Sequence, residues 1–321
     1  MDHAPNESSL RIAAAQLAPV FLDRAATLNK VVHAIEEASA GGAALVAFGE
    51  TLVPGYPAWI CKTDGARFNA PDQKALHARY LEQAVTLEEG QLEPVAAAAR
   101  KGRIAVVLGI AERPLDRGGH TIYCSRVFFG PDGAVGSLHR KLMPTYEERL
   151  SWGTGDGAGL VTHRVGPFSV GTLLCWENWM PLARAALYAA GENLHVALWP
   201  GADSITRDIT RLIAREGRSY VLSVSGLLRA EDIPADFPER DRFVPPQGGV
   251  LYNGGSCLAG PDGQWLIEPI LGEERVVLAD IALDRVREER QNFDPAGHYA
   301  RPDVFRLQVD RRRQRAAEFV D

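Results

Sequence analysis

The sequence predicts an α/β fold built on mixed β-sheet. Three observations carry the prediction. Strand-like and helix-like segments alternate along most of the 321 residues. Two hairpins with a shared Pro-Asp-Gly turn interrupt that alternation, so the sheet is not purely parallel. No repeat, low-complexity stretch or linker divides the chain, and α/β folds of this length form single domains.

The elements follow in order. "LRIAAAQLAP" (10–19) reads as a strand. Residues 23–42 read as an amphipathic helix, with Leu28, Val31, Val32, Ile35 and Ala38 on one face and a Gly pair at the end. "AALVAFGE" (43–50) is a short continuous apolar run, which suits a strand covered on both faces. Residues 72–101 read as helical and "RIAVVLGIAE" (103–112) as another buried strand. The two hairpins are "YCSRVFFGPDGAVGSLHRKL" and "GSCLAGPDGQWLIEPI", each with Gly supplying the positive φ of its turn. Further strands are expected at 168–175, 194–200, 219–226 and 275–281, and helices at 180–191 and 207–217. Residues 230–250, rich in Pro and charge, read as a long surface loop.

Composition bounds the function. Hydrophobic residues make up 46% and charged residues 24%, the balance of a soluble globular protein. A formal net charge of −6 gives no reason to expect nucleic acid or an anionic membrane as partner. The basic cluster Arg311, Arg312, Arg313 and Arg315 is read as a solvated or oligomer-facing helix. No apolar run reaches the roughly 18 residues of a membrane span. The polar, acidic start "MDHAPNESSLR" is not expected to be a secretory signal. Cys61, Cys124, Cys175 and Cys257 are spread without a CxxC pair, which points to reduced thiols in a cytoplasm. The eight histidines show no ligand spacing, so no metal and no other cofactor is expected.

Functional groups in open α/β sheets collect at the carboxyl ends of strands. That rule selects Glu50, ending "AALVAFGE", and Cys175, ending "FSVGTLLC". The alternative for Glu50 is a structural salt bridge. Pro181 suits the first turn of a helix, and a cysteine just before a helix start feels a dipole that favours thiolate. The alternative for Cys175 is an inert buried thiol. Cys61, Cys124 and Cys257 are given that reading, since none has a charged constellation around it in the sequence. The third candidate segment, "LHRKLMPTYEERLSWGTGDG" (138–157), carries Lys141, Glu147 and Glu148 before Trp152 and a glycine-rich run. Together these supply a thiol, a lysine and carboxylates without a catalytic histidine. A desolvated carboxylate can serve as the base and a lysine can stabilise developing negative charge.

Three of these segments resemble the nitrilase branch of the carbon–nitrogen hydrolase superfamily. "GAALVAFGETLVPGYP" (42–57) resembles its glutamate signature, "HRKLMPTYEER" (139–149) its lysine segment and "CWENWMPLAR" (175–184) its nucleophile segment. "NFDPAGHYARPDVF" (292–305) resembles the end of its catalytic domain. The resemblance implies an αββα sandwich with a mixed sheet pair. It implies a flexible N-terminus over 1–9, one catalytic domain over 10–305 and an oligomer-facing tail over 306–321. It further implies a homodimer extended into higher homo-oligomers. Carried over, Glu50 is the general base, Lys141 stabilises the tetrahedral species, Glu148 is the second, positioning glutamate and Cys175 is the nucleophile. Thr172 departs from the motif, which usually has Gly, Ala or Gln there.

The implied reaction takes an organic nitrile and water to a carboxylic acid and ammonia. The rivals are an amidase, carbamoylase or hydratase of the same superfamily and an inactive assembly protein on the same fold. By position at strand ends, Tyr56, Trp176, Trp199 and Pro200 are pocket candidates, with core packing the alternative for both tryptophans. The backbone N–H of Trp176 is a candidate oxyanion donor. An aromatic-lined pocket would favour an aliphatic or arylaliphatic nitrile.

Overall fold

The computed structural model describes residues 8–318 and 320. Strand β1 (Ser9–Gln16) leads to α1 (Arg24–Ala40), β2 (Leu45–Phe48), α2 (Trp59–Lys62), α3 (Pro71–Gln83), α4 (Glu93–Gly102) and β3 (Ala105–Glu112). The hairpin of β4 (Tyr123–Phe129) and β5 (Val135–Arg140) follows. Next come β6 (His163–Val165), β7 (Phe168–Leu174), α5 (Pro181–Ala189), β8 (Leu194–Trp199), α6 (Asp203–Gly217), β9 (Tyr220–Ser225) and β10 (Leu227–Arg229). The remainder is α7 (Arg240–Phe243), the hairpin of β11 (Val250–Ala259) and β12 (Trp265–Leu271), β13 (Arg275–Ala282) and α8 (Leu283–Arg290).

The strands form two mixed sheets. The first has the order β13-β1-β2-β3-β4-β5, the second β10-β11-β9-β8-β7-β6 with β12 paired to β11. In each sheet three neighbouring strands are parallel, β1-β2-β3 and β7-β8-β9, and hairpin strands flank them antiparallel. Side chains alternate across a strand, so a continuous apolar run feeds two cores at once. Leu45 and Ala47 of β2 face the second sheet and pack in one cluster with Val196, Leu198, Leu222 and Val224. Val46 and Phe48 face the other way, onto Leu28, Val31 and Ile35 of α1 and Val95 and Ala99 of α4. Behind the second sheet, Ile209 and Ile213 of α6 cover Ala197 and Val221, and Ala183 and Leu187 of α5 cover Leu173. The result is the expected αββα sandwich.

Several expectations need correction. The helical stretch 72–101 breaks between α3 and α4, because Val85 joins the edge of β3 instead: its N–H donates to Ala111 at 2.7 Å and its carbonyl accepts from Arg113 at 2.7 Å. Residues 230–250 are not a mere surface loop. Ile233, Phe237, Phe243 and Val244 are buried, and the Phe237 ring lies 5.5 Å from Phe21. Hydrophobic side chains spaced among the prolines and charges give this segment its own anchor. The basic C-terminal cluster is irregular chain, not a helix; Arg313 donates to Asp156 Oδ1 at 3.0 Å and to the Leu138 carbonyl at 2.6 Å. Of the expected flexible N-terminus, residues 1–7 lie outside the described residues, whereas Ser9 already pairs with Ala282 of β13. Strands β6 and β10 and helix α8 were not foreseen. β6 and β10 span three residues each, too short to show periodicity.

Candidate active site

Each of the four principal candidates is delivered by the exit of a strand or the turn after it. Glu50 lies two residues past β2, and its N–H donates across to the carbonyl of Trp199, at the end of β8 in the other sheet, at 3.0 Å. This crossing is possible because residue 109 in β3 is glycine. A Cβ there would stand 2.2 Å from the Gly49 carbonyl oxygen and 2.8 Å from the Glu50 Cα. Lys141 follows β5 and continues its pairing, donating its N–H to the Cys124 carbonyl at 2.8 Å. Gly155 closes over it, donating to the Lys141 carbonyl at 2.8 Å, where any Cβ would collide with the Arg140 carbonyl. Glu148 sits in a 3₁₀ turn, Tyr146–Leu150, with its carboxylate accepting from the Thr145 N–H at 2.6 Å. Cys175 opens the 3₁₀ turn after β7 at φ +47°, a left-handed conformation that is strained for a residue with a side chain.

These four side chains meet. Lys141 Nζ lies 2.8 Å from Glu50 Oε1 and 2.8 Å from Glu148 Oε2. A carboxylate oxygen from each glutamate and the Cys175 sulfur all lie within 4.8 Å of one another. All four residues are buried, Cys175 at 2% exposure and Lys141 at 0%. The Tyr56 hydroxyl donates to Glu148 Oε1 at 2.8 Å, and Lys141 Nζ stands 5.4 Å over the Trp152 ring. Glu147 is half-exposed and turned toward Cys61, so Glu148 is the glutamate that reaches the cluster. Two carboxylates and a thiol this close have the composition of a metal site, but the Lys141 ammonium already bridges the two carboxylates.

The electrostatics follow from burial. Desolvation, helped by the charge on Glu148, pushes the Glu50 carboxyl up to about 7 against the opposing pull of Lys141 and Cys124. Burial works against the Lys141 ammonium, yet Glu50, Cys175, Cys124 and Glu148 outweigh it and hold Lys141 well above the ordinary lysine value. Burial and then the Glu50 charge push the Cys175 thiol well up, opposed by Lys141 and by the adjoining Trp176 N–H. This corrects the expectation of a dipole-stabilised thiolate. The helix α5 begins only at Pro181, and desolvation dominates at the sulfur. The thiol therefore needs a base, and the arrangement supplies a carboxylate that exchanges its proton near neutrality.

The sequence reading missed the residues that hold this arrangement. Glu177 is fully buried. One of its oxygens accepts from the Leu142 N–H and the other from the Leu174 N–H at 2.9 Å, and His139 Nε2 lies 3.0 Å away. Burial opposes its charge, but His139 and the two backbone donors outweigh burial and hold its carboxyl below the usual range. Asn178 donates to the Cys175 carbonyl at 2.8 Å, and its own oxygen lies 2.7 Å from His195 Nε2. Cys124, read as having no charged neighbour, has its sulfur 3.2 Å from Glu50 Oε1. Its signal was hairpin register: Ser125 pairs with Arg140, which puts Cys124 opposite Lys141.

The pocket candidates separate. Tyr56 is in the cluster, T-shaped against Trp152 at 5.6 Å and Tyr252 at 5.7 Å. The Trp176 side chain is 48% exposed and stacks on Trp179 at 6.1 Å, so only its backbone faces the sulfur. The Trp199 indole is fully buried among Ile209 and Ile213 of α6 and bonds Ser223, so it is core packing; its carbonyl is what touches the site. Pro200 is buried where the chain leaves β8, its carbonyl packed against Gly226.

The family model for carbon-nitrogen hydrolases matches residues 11–291. The chain belongs to the carbon–nitrogen hydrolase family. It is 39% identical over 313 residues to an aliphatic nitrilase of Sinorhizobium fredii, covering 94% of this chain and 96% of that one. It is 34% identical to an arylacetonitrilase of Macrophomina phaseolina, covering 95% and 92%. Within the family these likenesses put it in the nitrilase branch. The crystal structure of a carbon-nitrogen hydrolase from Helicobacter pylori shares the fold, with a TM-score of 0.69 at 19% identity over 92% of this chain and 97% of that one.

Proposed function

We propose that this chain hydrolyses an organic nitrile to the carboxylic acid and ammonia through covalent intermediates on Cys175. The observation that carries the mechanism is the buried Cys175 sulfur within 4.8 Å of a Glu50 and a Glu148 carboxylate oxygen, with Lys141 bridging the two glutamates. Glu50 takes the thiol proton as sulfur bonds to the nitrile carbon, and that proton passes to the nitrogen, giving a thioimidate. Water then adds to the same carbon, one proton going through Glu50 to nitrogen. Lys141 and the Trp176 N–H stabilise the charged tetrahedral species. The C–N bond breaks, ammonia leaves with the remaining proton, and a thioester is left. A second water breaks the C–S bond, releasing the acid and returning the proton to sulfur. Glu148 holds Lys141 together with Glu50, and Tyr56 holds Glu148.

The rings of Tyr56, Trp152 and Tyr252 support an aliphatic or arylaliphatic substrate. The amidase, hydratase and inactive-scaffold readings are not favoured, since the curated relatives reported above are named for nitrile hydrolysis. The test is a panel of nitriles and their matching amides with acid, amide and ammonia all quantified. Acid and ammonia from the nitrile are expected, and Cys175→Ala is expected to abolish both. Acid released from the amide alone, or substantial turnover by Cys175→Ala, would overturn this reading.

The enzyme is read as one catalytic domain over 10–305, working as a cytoplasmic homodimer or larger homo-oligomer. No described helix is long and apolar enough to cross a membrane. Exposed Trp176, Trp179 and Leu182 beside the nucleophile turn support self-association. A monomer by analytical ultracentrifugation, or enzyme recovered outside the cytoplasmic fraction, would count against these assignments.

A further inference from the structure

Cys124 is a buried thiol that the steps above do not use. It is fully buried in β4 and touches both halves of the polar cluster. Its carbonyl accepts from the Lys141 N–H at 2.8 Å, and its S–H donates to Glu50 Oε1 at 3.2 Å. Lys141 Nζ reaches the same oxygen at 2.8 Å. Glu50 Oε2 is equally buried and has no hydrogen-bond partner among the described residues. A carboxylate held by two donors on one oxygen has its other oxygen oriented and free to accept.

The geometry points to Cys124 as a positioning residue for Glu50: its S–H, with the Lys141 ammonium, anchors Oε1 and leaves Oε2 as the oxygen that takes the nucleophile's proton. This inference rests on Glu50 being the base. A thiol suits the position because burial and the adjoining Glu50 charge push its pKa well up, so it stays protonated and donates. As a neutral donor it supports the ionised carboxylate without adding another charge. The other groups facing Glu50 are Lys141 at the exit of β5, Glu148 in its 3₁₀ turn and Cys175 after β7. Tyr80 of α3, Tyr56 after β2 and Tyr252 of β11 complete the surroundings. Lys141 and Cys124 pull the Glu50 carboxyl down while Glu148 pushes it up, so losing the thiol lets it rise further.

Cys124→Ala and Cys124→Val both remove the donor, one leaving a gap and the other filling it, and Cys124→Ser keeps a donor. In either donor-less variant the acid limb of kcat/KM is expected to move to higher pH by on the order of 0.5–1 unit, with KM little changed. Cys124→Ser is expected to bring the limb back toward wild type. A limb that superimposes on wild type in Cys124→Ala or Cys124→Val overturns the inference and leaves Cys124 as core packing. A second readout does not require turnover. In Cys175→Ala protein, the S–H infrared stretch of Cys124, identified by its loss on adding Cys124→Val, is expected to rise in frequency as Glu50 protonates on acidification. A band that does not move also overturns the inference. Glu50→Gln tests the base assignment by itself: retained nitrile hydrolysis there would sink that assignment, whatever the Cys124 variants show.

Discussion

A lysine buried away from solvent must find its solvation in neighbouring residues. Lys141 finds it in Glu50 and Glu148, each 2.8 Å away, and the three buried groups carry one net negative charge when all are ionised. Desolvation, with the Glu148 charge adding to it, outweighs the pull of Lys141, and that is why Glu50 titrates at about 7 and not in the ordinary carboxylate range. The consequence for activity has a definite sign. Glu50 accepts a proton only when ionised, so kcat/KM is expected to fall below pH about 7, approaching tenfold per pH unit, and to level off above it. A rate profile flat from pH 5 to 8 would mean that a group other than Glu50 takes the thiol proton. Glu50 and Cys175 were legible in the sequence because strand ends mark where side chains leave the sheet, whereas Lys141 and Glu148 stood out only in a charged, glycine-rich loop and through the family resemblance. Their mutual distances were not legible, since residues 50, 141, 148 and 175 converge only through the packing of two sheets.

At the scale of elements, the Cys175 turn and the Lys141 segment are fastened to each other by one carboxylate. Glu177 accepts from Leu174, just before Cys175, and from Leu142, just after Lys141. This carboxylate helps hold Cys175 at its left-handed φ, a conformation costing on the order of 1–3 kcal/mol. Glu177→Gln keeps the shape but loses the charge and turns an amide N–H₂ toward backbone donors. It is expected to lower kcat by about 10- to 100-fold and stability by about 1–3 kcal/mol, read by steady-state kinetics and thermal unfolding. Activity and melting temperature both unchanged would show that the two segments keep their alignment without this charge. The sequence showed Glu177 only as the neighbour of a tryptophan. Its role depends on β5 and β7 delivering His139, Leu142 and Leu174 to one point, and no local pattern encodes that.

At the scale of the whole molecule, the cluster costs stability at the pH where it works. The folded state holds a proton on Glu50 up to about 7, whereas the unfolded chain releases it near 4.5. Between those values the folded state binds more protons, so this contribution to stability is complete below pH 4.5 and declines as pH rises to 7. Relative to Glu50→Gln, the wild type is expected to lose on the order of 3 kcal/mol between pH 4.5 and 7.5, measured by denaturant unfolding at each pH. A constant difference between the two proteins across that range would show that Glu50 titrates normally.

The alternation of strands and helices, the two Pro-Asp-Gly hairpins and the double-faced burial of strands such as β2 were determined by the sequence itself, because side-chain period and turn chemistry are local properties. Tertiary structure decided the breaks in that pattern: Val85 was drawn to the β3 edge, and residues 230–250 were anchored by Phe237 and Phe243. It also decided which cysteine meets which carboxylate. Sequence marks a thiol as a candidate, but its proton is governed by desolvation and by charges within a few ångströms, and those come from other strands and loops that only the folded chain brings to it.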